Sequence, residues 1–345
     1  MTTATTTYHL KVEKRDQVSR WREAAAIVLA LLAAGLTSAA LIASSGADVG
    51  ASFRAMYVGA LGSNKAILET LVQATPLIFT GLAMVLAFRA KVWNIGAEGQ
   101  FFAGAMAAAW ISMNFASLPK IVLLPIILVG AMVAGGLWGF IPGFLKARLG
   151  TNEIIVTVMM NYVIKYYLSY LLNGIWSEPG DYFLQTPRFA ASTFLPTFFN
   201  SRLHLGFFIA LLLAGVIYLI LWKTPLGYEI RAVGENPTSS RYKGISIGTI
   251  IILVMVISGA IAGLAGASEL NGLNHRLRLD ISTGYGFTGI LIALLGQLNP
   301  IGVIVSAIFF GALVNGSTSM QIFTGVPVAL VYSVQGIVLF FLLSA

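Results

Sequence analysis

The sequence predicts an all-α protein embedded in a membrane, and three observations lead there. Hydrophobic residues fill 57% of the 345 positions and charged residues only 10%, less than half of the roughly 25% charge of an ordinary soluble domain. Uncharged apolar runs recur from Ala24 to the last residue, the pattern selected by a hydrocarbon solvent in which every backbone group must be paired within the protein. Basic residues lie between those runs and favour alternate connections, as the positive-inside rule describes.

Taking about 20 apolar residues per crossing, ten spans are expected, at 24–43, 66–88, 95–115, 121–145, 153–172, 205–222, 245–267, 285–298, 301–314 and 326–344. The eighth and ninth are shorter than a full span. Run 24–43 exceeds the roughly 7–15 residues of a cleaved signal sequence, so it reads as an anchored helix. With the amino end inside, 13 of the 21 Lys and Arg residues fall on inner segments and seven on outer ones, which places both termini in the cytoplasm. The exception is Lys165, which falls within a span and must snorkel or face a pore. Residues 1–23 form a cytoplasmic tail and 24–345 the embedded domain, with an external loop at 173–204 and a charged cytoplasmic segment at 223–246.

Composition also excludes. The net charge of +8 is dispersed, with no continuous basic face for a nucleic acid. The chain has no cysteine, and His9, His204 and His275 have no metal-ligand spacing. Neither a metal nor a cofactor is expected in this chain. No nucleophile-and-base constellation supports a membrane enzyme.

A faint internal repeat is visible. Gly96, Gly99 and Ala103 match Gly286, Gly289 and Ala293 at a constant offset, and Gly130, Val133 and Gly139 match Gly302, Val305 and Gly311. Spans two to five therefore pair with spans seven to ten, and five intervening crossings would invert the second copy.

Four strings carry the chemistry. Lys91 to Gln100 places Asn94, Glu98 and Gln100 at the start of an apolar helix, with Gly96 and Gly99 loosening the backbone. A lipid-facing ionisable group there costs roughly 2.5–3.5 kcal/mol, so Glu98 must face protein or water, either beside a pathway or as a cap at a helix amino end. Asn152 and Glu153 open the fifth span as cap and first-turn acid, and Asn161, about two turns on, shares a broad polar face with Glu153. Between spans six and seven, Tyr228 to Val233 and Pro237 to Lys243 read as two short helices stopped by Gly234 and Gly244. Together they form a knob that another protein can push. Gly284 to Gly289 matches a dinucleotide fingerprint, but no strand precedes it, so nucleotide binding is excluded there. The small-residue stripes Gly135, Gly139, Gly143 and Gly259, Gly263 predict close helix packing. No phosphate-binding loop occurs, so ATP hydrolysis is not expected in this chain.

Several strings resemble the permease family that includes the simple-sugar and nucleoside ABC importers, related to branched-chain amino acid and ribose permeases. The resemblance rests on residues 88–100, 151–162, 226–237, 240–245 and 284–290, in the family's order and spacing, and spans about 66–315. It implies a multi-pass permease of a bacterial or archaeal plasma membrane that pairs with a second permease subunit, in a heterodimer. ATP-binding subunits, which hold ATP and Mg, and an extracytoplasmic substrate-binding protein are the other implied partners. Residues 226–244 match the family's coupling region, with Gly227, Arg231, Gly234, Glu235, Asn236, Pro237, Arg241 and Gly244 as the ATPase-coupling residues; Glu235 stands where a small or apolar residue is expected.

The expected mechanism is alternating access. Polar groups at helix breaks, namely Asn94, Glu98, Asn152, Glu153 and Asn161, are the expected pathway residues, because a polar solute needs hydrogen-bond partners where water is scarce. A nucleoside or simple sugar is the expected solute. The rival expectation is an ion-gradient-driven carrier with Glu98 or Glu153 as its ion site.

Overall fold

The computed structural model describes residues 20–178, 180 and 183–344. Residues 1–19 of the expected tail lie outside the described residues, and helix has already begun at Arg20. Among the described residues the chain is helical, with two isolated bridges and no strand. In order the helices are α1 (Arg20–Ser44), α2 (Val49–Leu61), α3 (Asn64–Arg89), α4 (Ala97–Asn114), α5 (Lys120–Leu149), α6 (Glu153–Asn173), α7 (Leu205–Lys223), α8 (Pro225–Glu235), α9 (Pro237–Tyr242), α10 (Ile247–Glu269), α11 (Tyr285–Leu295), α12 (Pro300–Thr324) and α13 (Val328–Ser344). Seven of them (α1, α3, α5, α6, α7, α10 and α12) are long and apolar enough to cross a membrane. The three remaining expected spans correspond to α4, α11 and α13.

One expected boundary needs correction, and its reason lies in a helix between the first two spans. Between the first two expected spans the chain forms α2, whose 13 residues are too few for a crossing. The ninth span was expected to end at residue 314, yet α12 runs to Thr324 across the polar stretch Asn315 to Ser319. The amide of Asn315 donates to the carbonyls of Gly59 and Ala66, at 2.9 and 3.0 Å, and to the Thr70 hydroxyl at 3.2 Å. Thus the end of α2 and the first turns of α3 supply the acceptors that let α12 continue through a polar stretch. Replacing Asn315 by leucine strands those groups and should cost about 1–2 kcal/mol of stability; thermal unfolding of the detergent-solubilised protein checks it, and an unchanged midpoint refutes it.

The core is organised around α3 and α10. Helix α3 is buried along nearly its whole length, and α10 packs on α5, α4 and α3 while α3 packs on α12 and α11. The α5–α10 seam is built from glycines. A Cβ added at Gly135 would overlap the Gly259 carbonyl oxygen, one at Gly263 the Ala131 carbonyl oxygen, and one at Gly139 the Met255 carbonyl oxygen. Backbones therefore meet directly, which favours association where apolar side chains gain little by leaving lipid. Helix α6 rests mainly on α4 and α5, and α13 mainly on α1, so both lie at the rim.

Candidate functional site

After α3 ends at Arg89, the chain turns back into the bundle before starting α4. Asn94 is fully buried, and its amide donates to the Ser258 hydroxyl at 2.9 Å, which in turn donates to the Ala83 carbonyl at 2.8 Å. Ser258 is eleven residues into α10, roughly 16 Å from its start at 1.5 Å per residue, so the turn lies well inside a hydrocarbon layer of about 30 Å. Asn94 and Gln100 exchange both amide hydrogen bonds, at 2.9 and 3.1 Å, and the Asn94 carbonyl oxygen also accepts from Gly96 N–H. A polar turn at this depth survives because each of its side-chain amides is used.

Glu98 lies in the first turn of α4 with no exposed surface. Its Oε2 accepts the Gly286 N–H at 2.8 Å, in the first turn of α11. Its Oε1 faces Lys165 Nζ of α6 at 3.4 Å, and that ammonium sits 5.0 Å from the Phe102 ring centre. Two helix amino termini, each with a positive end, thus converge on one buried carboxylate. Gly286 is required by the approach, since a Cβ there would overlap the Glu98 backbone. Sequence reasoning left Lys165 without a partner, although an ionisable residue inside a span was itself the signal.

The other expected pathway residues are distributed around this turn. Asn161 accepts from Gly99 N–H at 2.8 Å and donates to the Ile95 carbonyl at 2.9 Å, clamping α6 to the start of α4. Glu153 pairs with Lys146 at 2.5 Å and accepts from Trp93 N–H at 3.4 Å, bracing the α5–α6 turn against the 90–96 segment. Asn152 stands apart from the cluster. It is exposed and caps α6 through Ile154 N–H.

At the end of the bundle where α3 stops, α8 and α9 form a two-helix elbow. Thr224 caps α8 and Asn236 caps α9, each followed by a proline at the first helical position, where the missing N–H costs nothing. Helix α8 starts earlier than expected, at Pro225, and runs through Gly234 to Glu235. Its inner face is keyed to the spans. A Cβ at Gly227 would overlap the Ile220 carbonyl oxygen, and one at Gly234 the Arg89 carbonyl oxygen. Arg231 donates to the Gly227 carbonyl and stacks on Trp222 at 4.5 Å, while Arg89 stacks on the same ring at 5.1 Å and donates to the Leu298 carbonyl at 3.0 Å. The outer face presents Glu235, Asn236, Pro237, Arg241 and Gly244, all exposed, with Gly244 at φ +82°. The expected coupling residues therefore split into an inner keyed set and an outer exposed one.

The opposite end is covered by the 173–204 segment, which is stitched to residues 271–278. Thr186 N–H donates to the Leu277 carbonyl, Phe189 N–H to the His275 carbonyl and Leu195 N–H to the Asn271 carbonyl, while Arg276 pairs with Glu178 at 2.8 Å. Burial, helped by the positive charges of His275 and Arg202, holds the His204 imidazole down to about 4.

The buried polar turn, the two helix starts meeting on a carboxylate and the keyed elbow all sit in a bundle of which seven helices among the described residues are long and apolar enough to cross a membrane. Residues 66–343 match the model of the branched-chain amino acid transport system / permease component family, and the chain belongs to that family. The guanosine ABC transporter permease protein NupP of Bacillus subtilis is 40% identical over 93% of this chain and 92% of its own length. The glucose ABC transporter permease protein TsgB13 of Haloferax volcanii is 35% identical over 97% and 91% respectively. The nucleoside ABC transporter permease protein NupB of Lactococcus lactis is 35% identical over 83% and 81%. Bacillus subtilis has a second similar guanosine permease protein, NupQ, at 28% identity over 70% of this chain and 78% of its own length. Among solved structures, a metal-chelate type ABC transporter in an inward-facing conformation covers 78% of this chain and 86% of its own, with a TM-score of 0.43 and 16% identity. The chain is a multi-pass protein of a bacterial or archaeal plasma membrane.

Proposed function

We propose that this chain is one of two permease subunits of an ABC importer for a nucleoside or simple sugar, with ATP hydrolysis in separate subunits. The observation that carries the reading is the elbow: α8 is wedged by Gly227 and Gly234 against α7 and α3, and its far face is polar and exposed. A push on that face reaches both spans without passing through a flexible connection. Both termini and the elbow lie in the cytoplasm in this reading, the 173–204 segment faces the binding protein, and ten crossings form an inverted repeat. The reciprocal packing of α10 on α5 and α4, and of α3 on α12 and α11, supports that symmetry. The heterodimer is supported by the pair of guanosine permease proteins in Bacillus subtilis, and the solute class by the guanosine, nucleoside and glucose for which NupP, NupB and TsgB13 are named.

The turn at Asn94, Glu98, Glu153 and Asn161 stands beside the pathway in this proposal, and Lys165 reaches it from α6; Asn152 frames its inner mouth. Reconstitution tests the whole. Liposomes holding this chain alone should take up no guanosine or glucose under a proton or sodium gradient. Liposomes that also hold the second permease and the ATPase subunits should accumulate one of them when ATP and the binding protein are supplied. Gradient-driven uptake by the lone chain would replace the proposal with the carrier reading.

A further inference from the structure

A cavity of about 480 Å³ opens between α3, α11, α12 and α13, on the side of the α11 start that bears Tyr285. Its size lies in the roughly 300–1,000 Å³ range of small-molecule sites. Three glutamines line it, Gln73, Gln321 and Gln335, all half-buried. None of their carboxamides hydrogen-bonds to another group among the described residues. Gln73 is nine residues into α3 and Gln335 seven into α13, so by the helical rise both lie roughly 10–14 Å from their helix starts. Unsatisfied amides at such depth are costly unless water or a polar solute occupies the space between them. Tyr285 and Thr288 of α11 form a third wall, and Tyr332 stands 61% exposed on the rim.

Among the described residues no charged side chain lines the cavity, which disfavours an ionic solute. Carboxamides carry a donor and an acceptor side by side, the arrangement that pairs with the edge of a nucleobase. Tyrosine rings supply flat faces on which any base stacks, typically for about 1–3 kcal/mol. A sugar would use the amides but leave the ring faces largely unemployed. We infer that this cavity is a transit site for an uncharged nucleoside, with its base edge on Gln73 and Gln335 and its face on Tyr285 or Tyr332. The inference rests on the permease reading and narrows its solute to the nucleoside. It also links the two regions, because the α11 turn that carries Tyr285 is the one capped by Glu98.

The natural absence of cysteine permits a direct test. Gln73→Cys and Gln335→Cys chains are assembled with the second permease and ATPase subunits and treated with a water-soluble methanethiosulfonate, with labelling followed on this chain. Leu212→Cys, on an exposed apolar position of α7, serves as the control. Both glutamine-site cysteines should label, and guanosine, but not glucose, should slow the reaction about tenfold, as saturating occupancy of a site requires. In transport, Gln335→Leu should raise the guanosine KM about tenfold, the order of one lost hydrogen bond, with Gln335→Asn restoring part of it. Failure of the cysteines to label, equal protection by glucose, or unchanged labelling with guanosine in a complex that imports guanosine would overturn the cavity assignment. A parent complex that imports glucose and no nucleoside would instead refute the solute reading on which it rests.

Discussion

Gly234→Val should separate uptake from ATP hydrolysis. The added side chain would occupy the position of the Arg89 carbonyl oxygen, so α8 must lift away from α3 and carry Arg231 off the ring of Trp222 that it shares with Arg89. The elbow would still bind its partner through its exposed outer face, but the displacement would no longer reach α3, α7 and the Leu298 turn. A coupling free energy of about 1–3 kcal/mol corresponds to 5–150-fold, so ATP-driven uptake in the full assembly should fall by an order of magnitude or more. Basal ATPase activity and co-purification of the ATPase subunits should persist. Full uptake in the variant would show that force does not travel through this contact. Gly244→Ala, at a left-handed turn facing open space, should produce a smaller defect through backbone strain alone.

Glu98→Leu should be the most destabilising single change in the buried polar region. It deprives the Gly286 N–H of a charged acceptor, worth about 1.5–3 kcal/mol, and releases Lys165, whose partly exposed ammonium adds about 0–1 kcal/mol. A loss of roughly 2–4 kcal/mol is expected from those two contributions, read as a lower unfolding midpoint by intrinsic tryptophan fluorescence. Glu98→Gln keeps an oxygen for Gly286 and should lose less. Combining Glu98→Gln with Lys165→Met should cost less than the sum of the two changes, because the variants remove the same pair. Parent-like stability in Glu98→Leu would mean that the carboxylate is not what holds α11.

Much of this was legible in the sequence because it is written locally. The apolar runs announce themselves by length, and the elbow is marked by its Thr-Pro and Asn-Pro starts at residues 224–225 and 236–237. What stayed hidden depends on partners far along the chain. Glu98 is recognisable as a residue that must face protein or water, but its acceptor role joins groups 188 positions apart. Helix α2 was invisible because a 13-residue helix bearing Arg54 has neither the length nor the uniformity of a span. The end of α12 was misplaced because Asn315 looks like a terminator until the carbonyls of Gly59 and Ala66 are brought to it. Single glutamines such as Gln73 and Gln335 give little signal in apolar runs, and only their convergence on one cavity distinguishes them.

The glycine seam between α5 and α10 has a mechanical consequence. Two backbones in direct contact leave no layer of side chains to deform, so the centre of the molecule is its least compliant part. Any bending during a work cycle must then be absorbed at the periphery, by α6 and α13, which grip their neighbours over much less surface. Amide hydrogens at the seam should accordingly be the last to exchange with solvent deuterium, and those of the two outer helices among the first.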